Sequence, residues 1–109
     1  MHVTLESPDK PDTAVHEQSV RRIRFAMRSL SWLVSRARVR LSAADGSPGS
    51  IDKRCEVELT TEAGERIVVT SMARDWHSAM QSALGRASRS MLHRWQQERA
   101  GNSMRLSPA

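Results

Sequence analysis

The spacing of apolar positions changes several times along the chain, and each change predicts a different element. Residues 1–7 alternate weakly between apolar and polar side chains, which predicts a short strand. A proline-containing segment at residues 7–11 follows and predicts a loop. From Thr13 to Leu33, apolar residues recur at spacings of three and four, which predicts an amphipathic helix. Its apolar stripe consists of Val20, Ile23, Met27, Leu30 and Val34.

Three later segments have the period of two that is typical of strands. Residues 36–43 place apolar side chains on one face and Arg36, Arg38 and Arg40 on the other. Alternation returns at residues 55–60, where Glu56 and Glu58 occupy the polar face, and residues 66–70 are β-branched. The turn formers at residues 45–50 and 62–65 predict the connections. If these strands pair antiparallel, the two glutamates lie opposite the arginines and partly neutralise them.

A second helical pattern runs from about Asp75 to Arg99. Its apolar stripe consists of Trp76, Ala79, Met80, Ala83, Ala87, Met91 and Trp95. Because both tryptophans lie on this stripe, core packing is favoured for them over stacking on nucleobases. The segment 101–103, Gly-Asn-Ser, predicts the end of the helix. We therefore expect one domain over residues 1–100 and a flexible tail over residues 101–109.

The predicted order is strand, helix, strand, strand, strand, helix. Strands with only one apolar face need a layer of helices on that face and leave the other face open. The order therefore predicts an α+β fold, a two-layer β-α-β-β-β-α sandwich with both helices on one face of a mostly antiparallel four-stranded sheet. A length of 109 residues fits one such domain.

The charge balance indicates an acidic partner. The chain has a formal net charge of +5, with 15 arginines against 2 lysines, and a sequence pI near 10.9. Guanidinium groups are planar, permanently charged and suited to bidentate contact with phosphate. A pI this high is typical of nucleic-acid binders, although charge alone also fits a membrane surface. Sequence-specific reading of bases is not indicated.

Other features predict a cytoplasmic protein without a membrane partner. The longest apolar window, Ile23 to Val34, contains Arg24 and Arg28 and is far shorter than the roughly 20 residues of a membrane span. The first twenty residues carry four acids, which does not fit a secretory signal. Cys55 is the single cysteine, so no intramolecular disulfide forms and a reducing compartment is expected.

No pattern in the chain favours catalysis. None of the histidines has the i, i+4 spacing of a helical metal pair; they are His2, His16, His77 and His93. Cys55 opens an alternating apolar strand, which is typical of a buried residue and not of a nucleophile. Neither a hydrolase motif nor a phosphate loop is present. We therefore expect a non-enzymatic protein without metal, cofactor or small-molecule substrate.

Basic side chains on the polar faces of both helices are the candidate binding residues. They are Arg21, Arg24 and Arg28 on the first helix and Arg86, Arg89 and His93 on the second. Polar helix faces are commonly just solvated, and for His93 that is the simpler interpretation. The first helix, however, has four arginines against one acid, and residues 74–99 have five against two. This excess favours contact with a polyanion.

A more specific pattern lies between residues 38 and 89. The strand Val39-Arg40-Leu41 leads through residues 45–50 to Asp52-Lys53-Arg54-Cys55, and Arg74-Asp75-Trp76 precedes a helix with Ala79, Ala83, Arg86 and Ala87. The combination resembles the ribosome hibernation-promoting factor and ribosome-associated inhibitor A family. In that family a Gly-rich loop leads to Asp-Lys-x-Cys, and the last helix begins with Asp and an aromatic residue. The resemblance covers about residues 1–99 and is most specific at 45–55.

The resemblance implies a non-enzymatic, monomeric short form of that family, with a fold like that of a double-stranded-RNA-binding domain. It implies binding to the small ribosomal subunit and its rRNA, in the channel where mRNA and tRNA otherwise lie. Translation would be inhibited in idle ribosomes by occlusion. The helix arginines, together with Lys53 and Arg54 beside the loop, are then expected to contact rRNA phosphates.

Two other functions stay open from the sequence. One is a stand-alone module that binds another structured RNA, which competition between RNA duplexes and ribosomes would distinguish. The other is a protein interaction module that uses the open sheet with Arg36, Arg38 and Arg40. Weak salt dependence of binding would favour the protein module, because phosphate contacts lose affinity steeply as salt rises.

Overall fold

A computed structural model describes residues 1–7, 13–43 and 52–106, with side chains except at residues 13–15, 43 and 100–106. The predicted loop at residues 45–50 lies outside the described residues. The elements are β1 (His2–Glu6), α1 (Thr13–Met27), a 3₁₀ turn (Arg28–Leu30), β2 (Val34–Ala43), β3 (Lys53–Thr61), β4 (Arg66–Ala73) and α2 (Trp76–Leu106). Their order is the one that the sequence predicts.

The strands form one sheet in the order β1-β2-β3-β4. β1 pairs parallel with β2, because α1 carries the chain back across the sheet between them, and the other two pairings are antiparallel. The register aligns Leu5, Val39, Val57 and Val69 in one row on the same face. The predicted α+β sandwich with a four-stranded, mostly antiparallel sheet is confirmed.

Both helices pack on the apolar face of this sheet. α2 lies over β3 and β4, whereas α1 contacts β1 and α2. Ile23 and Met27 of α1 are fully buried, and so are Val57 and Leu59 of β3. α2 contributes small buried side chains, Ala79, Ala83 and Ala87, which allow its backbone to approach the strands closely. This shared core fixes which faces of the helices remain outside.

The first helix is shorter than predicted. α1 ends at Met27, and the chain continues through the 3₁₀ turn, where the Ser31 hydroxyl donates to the Arg28 carbonyl at 3.0 Å. Leu30 and Val34 are both buried, as their spacing predicts, but Val34 belongs to β2 and pairs with Thr61. The spacing of three and four between apolar residues therefore continues beyond the end of α1, because Leu30 in the 3₁₀ turn and Val34 in β2 are buried in the same core.

The second helix is longer than predicted. It continues through residues 101–103 to Leu106, so the predicted end at Gly-Asn-Ser is wrong. A glycine inside a helix costs only about 1 kcal/mol relative to alanine, which a long hydrogen-bonded helix tolerates. The division into a domain over 1–100 and a flexible tail over 101–109 stays a prediction.

Asp75 begins α2 by capping its first turn. One carboxylate oxygen accepts a hydrogen bond from the Ser78 backbone N–H at 2.8 Å, and the other accepts from the Ser78 hydroxyl at 2.9 Å. These hydrogen bonds hold the pKa of Asp75 below its ordinary value of 3.8. Because the folded protein prefers the ionised carboxyl, the cap stabilises the fold at neutral pH and loses this contribution as the pH falls through the folded pKa.

We expect Asp75→Ala to lower the melting temperature at pH 7 by a few degrees, because it leaves an N–H of the first helical turn without its acceptor. The difference from wild type should shrink as the pH falls below the ordinary value of 3.8 and through the lower pKa of the folded state, where the wild-type carboxyl gains a proton. Asp75→Asn is the matched control, since its amide oxygen caps without titrating. Circular dichroism melts at pH 7 and pH 3 measure this, and equal melting of wild type and Asp75→Ala at pH 7 would contradict it.

Candidate nucleic-acid interface

Three arginines of the open sheet face, Arg38, Arg40 and Arg66, are paired with neighbouring glutamates. Glu6 lies between Arg38 and Arg40, with nitrogen to oxygen distances of 2.8 Å and 3.0 Å. Hydrogen bonds from these guanidinium groups lower the pKa of Glu6. Arg66 contacts Glu58 at 3.2 Å. Much of the positive charge on the open sheet face is therefore offset by carboxylates of the protein itself.

The cross-strand pairing agrees with the sequence prediction in register but differs in the pairs that form. Arg38 lies opposite Glu58 and Arg40 opposite Glu56. Arg40 also approaches Glu56, at 3.8 Å, whereas Arg38 turns to Glu6 on the neighbouring β1 strand. The parallel strand β1 thus supplies a carboxylate from outside the antiparallel strands β2, β3 and β4.

The outer surface of the two helices carries arginines without acidic partners. Arg21, Arg22, Arg24, Arg28 and Arg89 are all exposed, and none of them forms an ion pair with a carboxylate among the described residues. We call these five residues the helix arginine face. Its charge is free to act on a partner, in contrast to that of the sheet face.

A groove of about 1000 Å³ runs between α1 and α2 on this surface. Arg21 lines it from α1 and Arg89 from α2, above a floor that includes Met80 and Leu84. Arg24, Arg28 and His93 lie outside it. The groove therefore joins two of the sequence-predicted binding residues on different helices. We call it the α1–α2 groove.

Sequence reasoning missed two side chains that help to form this groove. Arg22 of α1 donates a hydrogen bond to the ring of His77 on α2, which links the two helices. Phe25 also lines the groove and is 71% exposed, and the Arg28 guanidinium carbon lies 4.9 Å from its ring centroid. A signal for Phe25 exists in the sequence, since this aromatic residue lies off the apolar stripe of α1.

Arg86 has a partly structural position. One of its terminal nitrogens donates to the Thr70 carbonyl at 3.1 Å and to the Ser71 hydroxyl at 3.2 Å. Both acceptors are on β4, so Arg86 braces α2 against the edge strand of the sheet. Arg89, less than one turn later, instead reaches the α1–α2 groove.

The other predicted contact residues do not share one surface. The Lys53 ammonium lies 5.1 Å from the ring centroid of Trp76, on the helix side of the sheet. Arg54 is exposed on the open sheet face, where it pairs in register with Ser42 and Met72. His93 is exposed on α2. Of the predicted contacts, the structure therefore brings Arg21 and Arg89 together in one groove and places Arg54 on the opposite face of the sheet.

All three tryptophans make packing contacts within the protein. Trp76 is partly buried against the core. Trp95 meets Trp32 edge to face, with ring centroids 4.8 Å apart, and the Trp32 indole N–H donates to the Ser29 carbonyl at 2.8 Å. Trp32 remains 59% exposed at the end of the first helical segment. None of the three lines the α1–α2 groove.

Cys55 lies in the core, with no exposed surface. Burial raises the pKa of its thiol to about 12, so the nucleophilic thiolate is scarce at neutral pH.

Within residues 1–7, 13–43 and 52–106, no three His, Cys, Asp or Glu side chains are grouped to hold a metal ion. Across the same part of the chain, no helix is long and apolar enough to cross a bilayer.

The fold and the helix arginine face define a class of protein: a basic two-layer α+β sandwich. Arginines on its sheet face are paired with glutamates, whereas those of the helix arginine face have no carboxylate partner among the described residues. Two solved structures have a similar fold. The Thermus thermophilus Protein Y N-terminal domain matches with a TM-score of 0.61 and 18% sequence identity, over 84% of this chain and 96% of that chain. A ribosomal subunit interface protein from Coxiella burnetii matches with a TM-score of 0.60 and 10% identity, over 88% of this chain and 99% of that chain. No family model and no curated protein matches this sequence.

We expect Cys55 to resist alkylation in the folded protein at pH 8, because the thiol is both buried and protonated. Iodoacetamide labelling followed by mass spectrometry measures this, with the urea-unfolded protein as the positive control. Labelling of the folded chain at the rate of the unfolded chain would contradict the buried position of β3.

We expect Arg86→Ala to destabilise the fold by about 1 kcal/mol, since it removes hydrogen bonds that join α2 to β4. Arg89→Ala is the matched control on the same helix and should leave stability within about 0.5 kcal/mol of wild type, as is usual for exposed positions. Urea unfolding monitored by tryptophan fluorescence measures both. Equal midpoints for the two variants would show that Arg86 is not a brace.

Proposed function

We propose that this protein is a cytoplasmic, ribosome-associated translation inhibitor that binds the rRNA of the small subunit and occludes the mRNA and tRNA channel in idle ribosomes. The observation that carries the proposal is the helix arginine face, five exposed arginines without carboxylate partners among the described residues. The fold is similar to that of a protein described as a ribosomal subunit interface protein. The sequence motifs at residues 45–55 and 74–76, which resemble those of the ribosome hibernation-promoting factor family, support the same proposal.

The physical argument for rRNA rests on shape and phosphate recognition. Folded RNA is contacted mainly through its backbone, because the deep, narrow major groove of A-form helices hides the base edges. A rigid surface of guanidinium groups suits this, since each group can hold a phosphate in bidentate geometry. α1 and α2 pack on one core, which fixes the backbone positions of Arg21 and Arg89 on either side of the α1–α2 groove.

Occlusion needs no chemistry beyond binding. The buried, protonated thiol of Cys55 offers no nucleophile at the surface. A monomer that fills a channel competes with mRNA and tRNA simply by occupying their volume. Inhibition by this mechanism is reversible and follows the affinity of the protein for the subunit.

A protein interaction module is the second candidate, and one observation favours it. Val68 and Met72 of the edge strand β4 are 53% and 65% exposed on the open sheet face. Exposed apolar side chains on an edge strand suit contact with another protein. A partner of this kind would contact the sheet face and leave the helix arginine face unused.

We expect the protein to sediment with small subunits and intact ribosomes in sucrose gradients at low salt, and Arg21→Glu/Arg89→Glu to abolish this. Both substitutions put negative charge into the α1–α2 groove. Arg89 is preferred to Arg86 for this test, because Arg86 also braces the fold. Arg36→Glu is the control: it reverses an exposed arginine on the sheet face that, among the described residues, has no ion pair.

The salt dependence and the variants separate the candidates. Phosphate contacts predict a steep loss of affinity with rising salt, and a smaller salt slope for the double variant. Binding that is lost in Arg36→Glu and retained in the double variant would favour the protein interaction module. Absence of wild-type sedimentation at low salt, with a folded protein, would overturn the ribosomal proposal. Where binding occurs, inhibition of translation in a cell-free system tests the occlusion.

A further inference from the structure

We propose that the α1–α2 groove holds an unpaired nucleobase of an RNA, stacked on Phe25, with the flanking phosphates bound by Arg21 and Arg89. The inference rests on the proposed function for the source of the RNA, which would be ribosomal. The recognition itself is a property of this groove and is tested separately below.

Phe25 is an exposed aromatic residue that lies off the apolar stripe of α1. Its ring is 71% exposed and lies on the wall of the groove. The Arg28 guanidinium lies 4.9 Å from the ring centroid, a cation–π contact that stabilises this orientation of the ring. A flat apolar surface of this kind suits stacking of a nucleobase, because every base offers a π face.

The charge around the ring selects an anionic occupant. Arg21 and Arg89 line the groove on opposite helices, and Arg22 lies beside them, linked to His77. None of the described residues that line the groove carries a carboxylate. An aromatic surface between unpaired guanidinium groups therefore complements a nucleotide, which combines a flat base with negative phosphate.

The groove also has the space and the polar groups that a base needs. Its volume of about 1000 Å³ is at the upper end of the usual size of ligand pockets. The Arg89 side chain lies over Gly85, since one of its terminal nitrogens is 3.4 Å from the position that a Cβ would take there, an ordinary van der Waals contact. Gln18 and Gln81 line the groove from opposite helices, and their amides can both donate to and accept from a base edge. The apolar floor of Met80 and Leu84 favours the base over water.

The geometry requires the base to be unpaired. Inside a duplex both faces of a base are covered by its neighbours, so a protein ring stacks only on a base that has left the helix. A bulged or looped nucleotide presents one free face together with the phosphates on either side. Phe25 provides a surface for the base, and Arg21 and Arg89, which line the same groove, are available to bind the flanking phosphates.

The test compares two short RNA hairpins that differ by one nucleotide. One carries a single bulged 2-aminopurine, whose fluorescence is quenched by stacking, and the other is fully paired; both carry a terminal dye for anisotropy. Titrations at low salt use wild type, Phe25→Ala and Phe25→Trp. Met72→Ala is the control, since Met72 is also an exposed apolar residue, 65% exposed, but lies on the sheet face. Circular dichroism melts confirm that each variant folds.

We expect wild type to prefer the bulged hairpin and to quench its 2-aminopurine. Phe25→Ala should weaken binding to the bulged hairpin by about 5- to 150-fold, the range that stacking of one base contributes, and leave the paired hairpin unchanged. Phe25→Trp should retain the preference, because it retains an aromatic face. Arg21→Glu/Arg89→Glu should weaken binding to both hairpins.

Three results would overturn the inference: equal affinity of wild type for the two hairpins, binding to neither, or unchanged binding of Phe25→Ala to the bulged hairpin. If Phe25→Ala lost binding to small subunits but not to the bulged hairpin, the groove would accommodate a protein side chain and not a base. Failure of wild type to sediment with ribosomes would refute the proposed function alone, because the hairpin titrations still decide whether the groove binds an unpaired base.

Discussion

Burial of one apolar sheet face under two helices is the interaction on which the rest of the structure depends. The row formed by Leu5, Val39, Val57 and Val69 crosses all four strands and must be covered. Both helices go to that side, so their apolar stripes face inward and their basic faces point outward together. The helix arginine face is thus a consequence of the core, not of any contact between the arginines themselves.

The two outer surfaces of the protein differ in how far their arginines are paired with carboxylates. On the sheet face, period-two alternation and strand pairing place carboxylates within reach of arginines, as in the Arg38–Glu6 and Arg66–Glu58 pairs. Exposed pairs of this kind contribute little stability, about 0–1 kcal/mol each. Their main effect is to make the field of the sheet face weak. On the helices, no described carboxylate forms an ion pair with the guanidinium groups of Arg21, Arg22 and Arg89 within the groove.

The elements and the sheet face were predictable from the sequence because they follow from local periodicity. Alternation in residues 36–43 and 55–60 predicts the strands and places the two glutamates opposite the arginines, which the register confirms as the pairs Arg38–Glu58 and Arg40–Glu56. The ends of the helices were not predictable in the same way. Val34 continues the helical spacing of α1 although it lies in β2, since helices and strands can both place apolar residues in the same core.

The site was predictable only in part, since it depends on how two helices are placed against each other. Sequence alone assigns Arg21 and Arg89 to polar helix faces, but only packing brings them to one groove. It does not separate Arg86 from Arg89, because their difference lies in a reach of 3.1 Å to the Thr70 carbonyl on another element. Phe25 illustrates the same limit: its departure from the apolar stripe is visible in the sequence, whereas its position beside Arg28 and opposite α2 is not.

The separation of the two faces also determines how a polyanion would approach. A helix is about 10 Å across, so the carboxylates of the sheet face lie more than one helix diameter from the outer surface of α1 and α2. The screening length at physiological ionic strength is about 8 Å. A phosphate near Arg21 or Arg89 is therefore attracted by the helix arginines and is screened from Glu6, Glu56 and Glu58. A molecule with a modest net charge of +5 can in this way present a strongly basic surface in one direction, so that the helices meet the partner first.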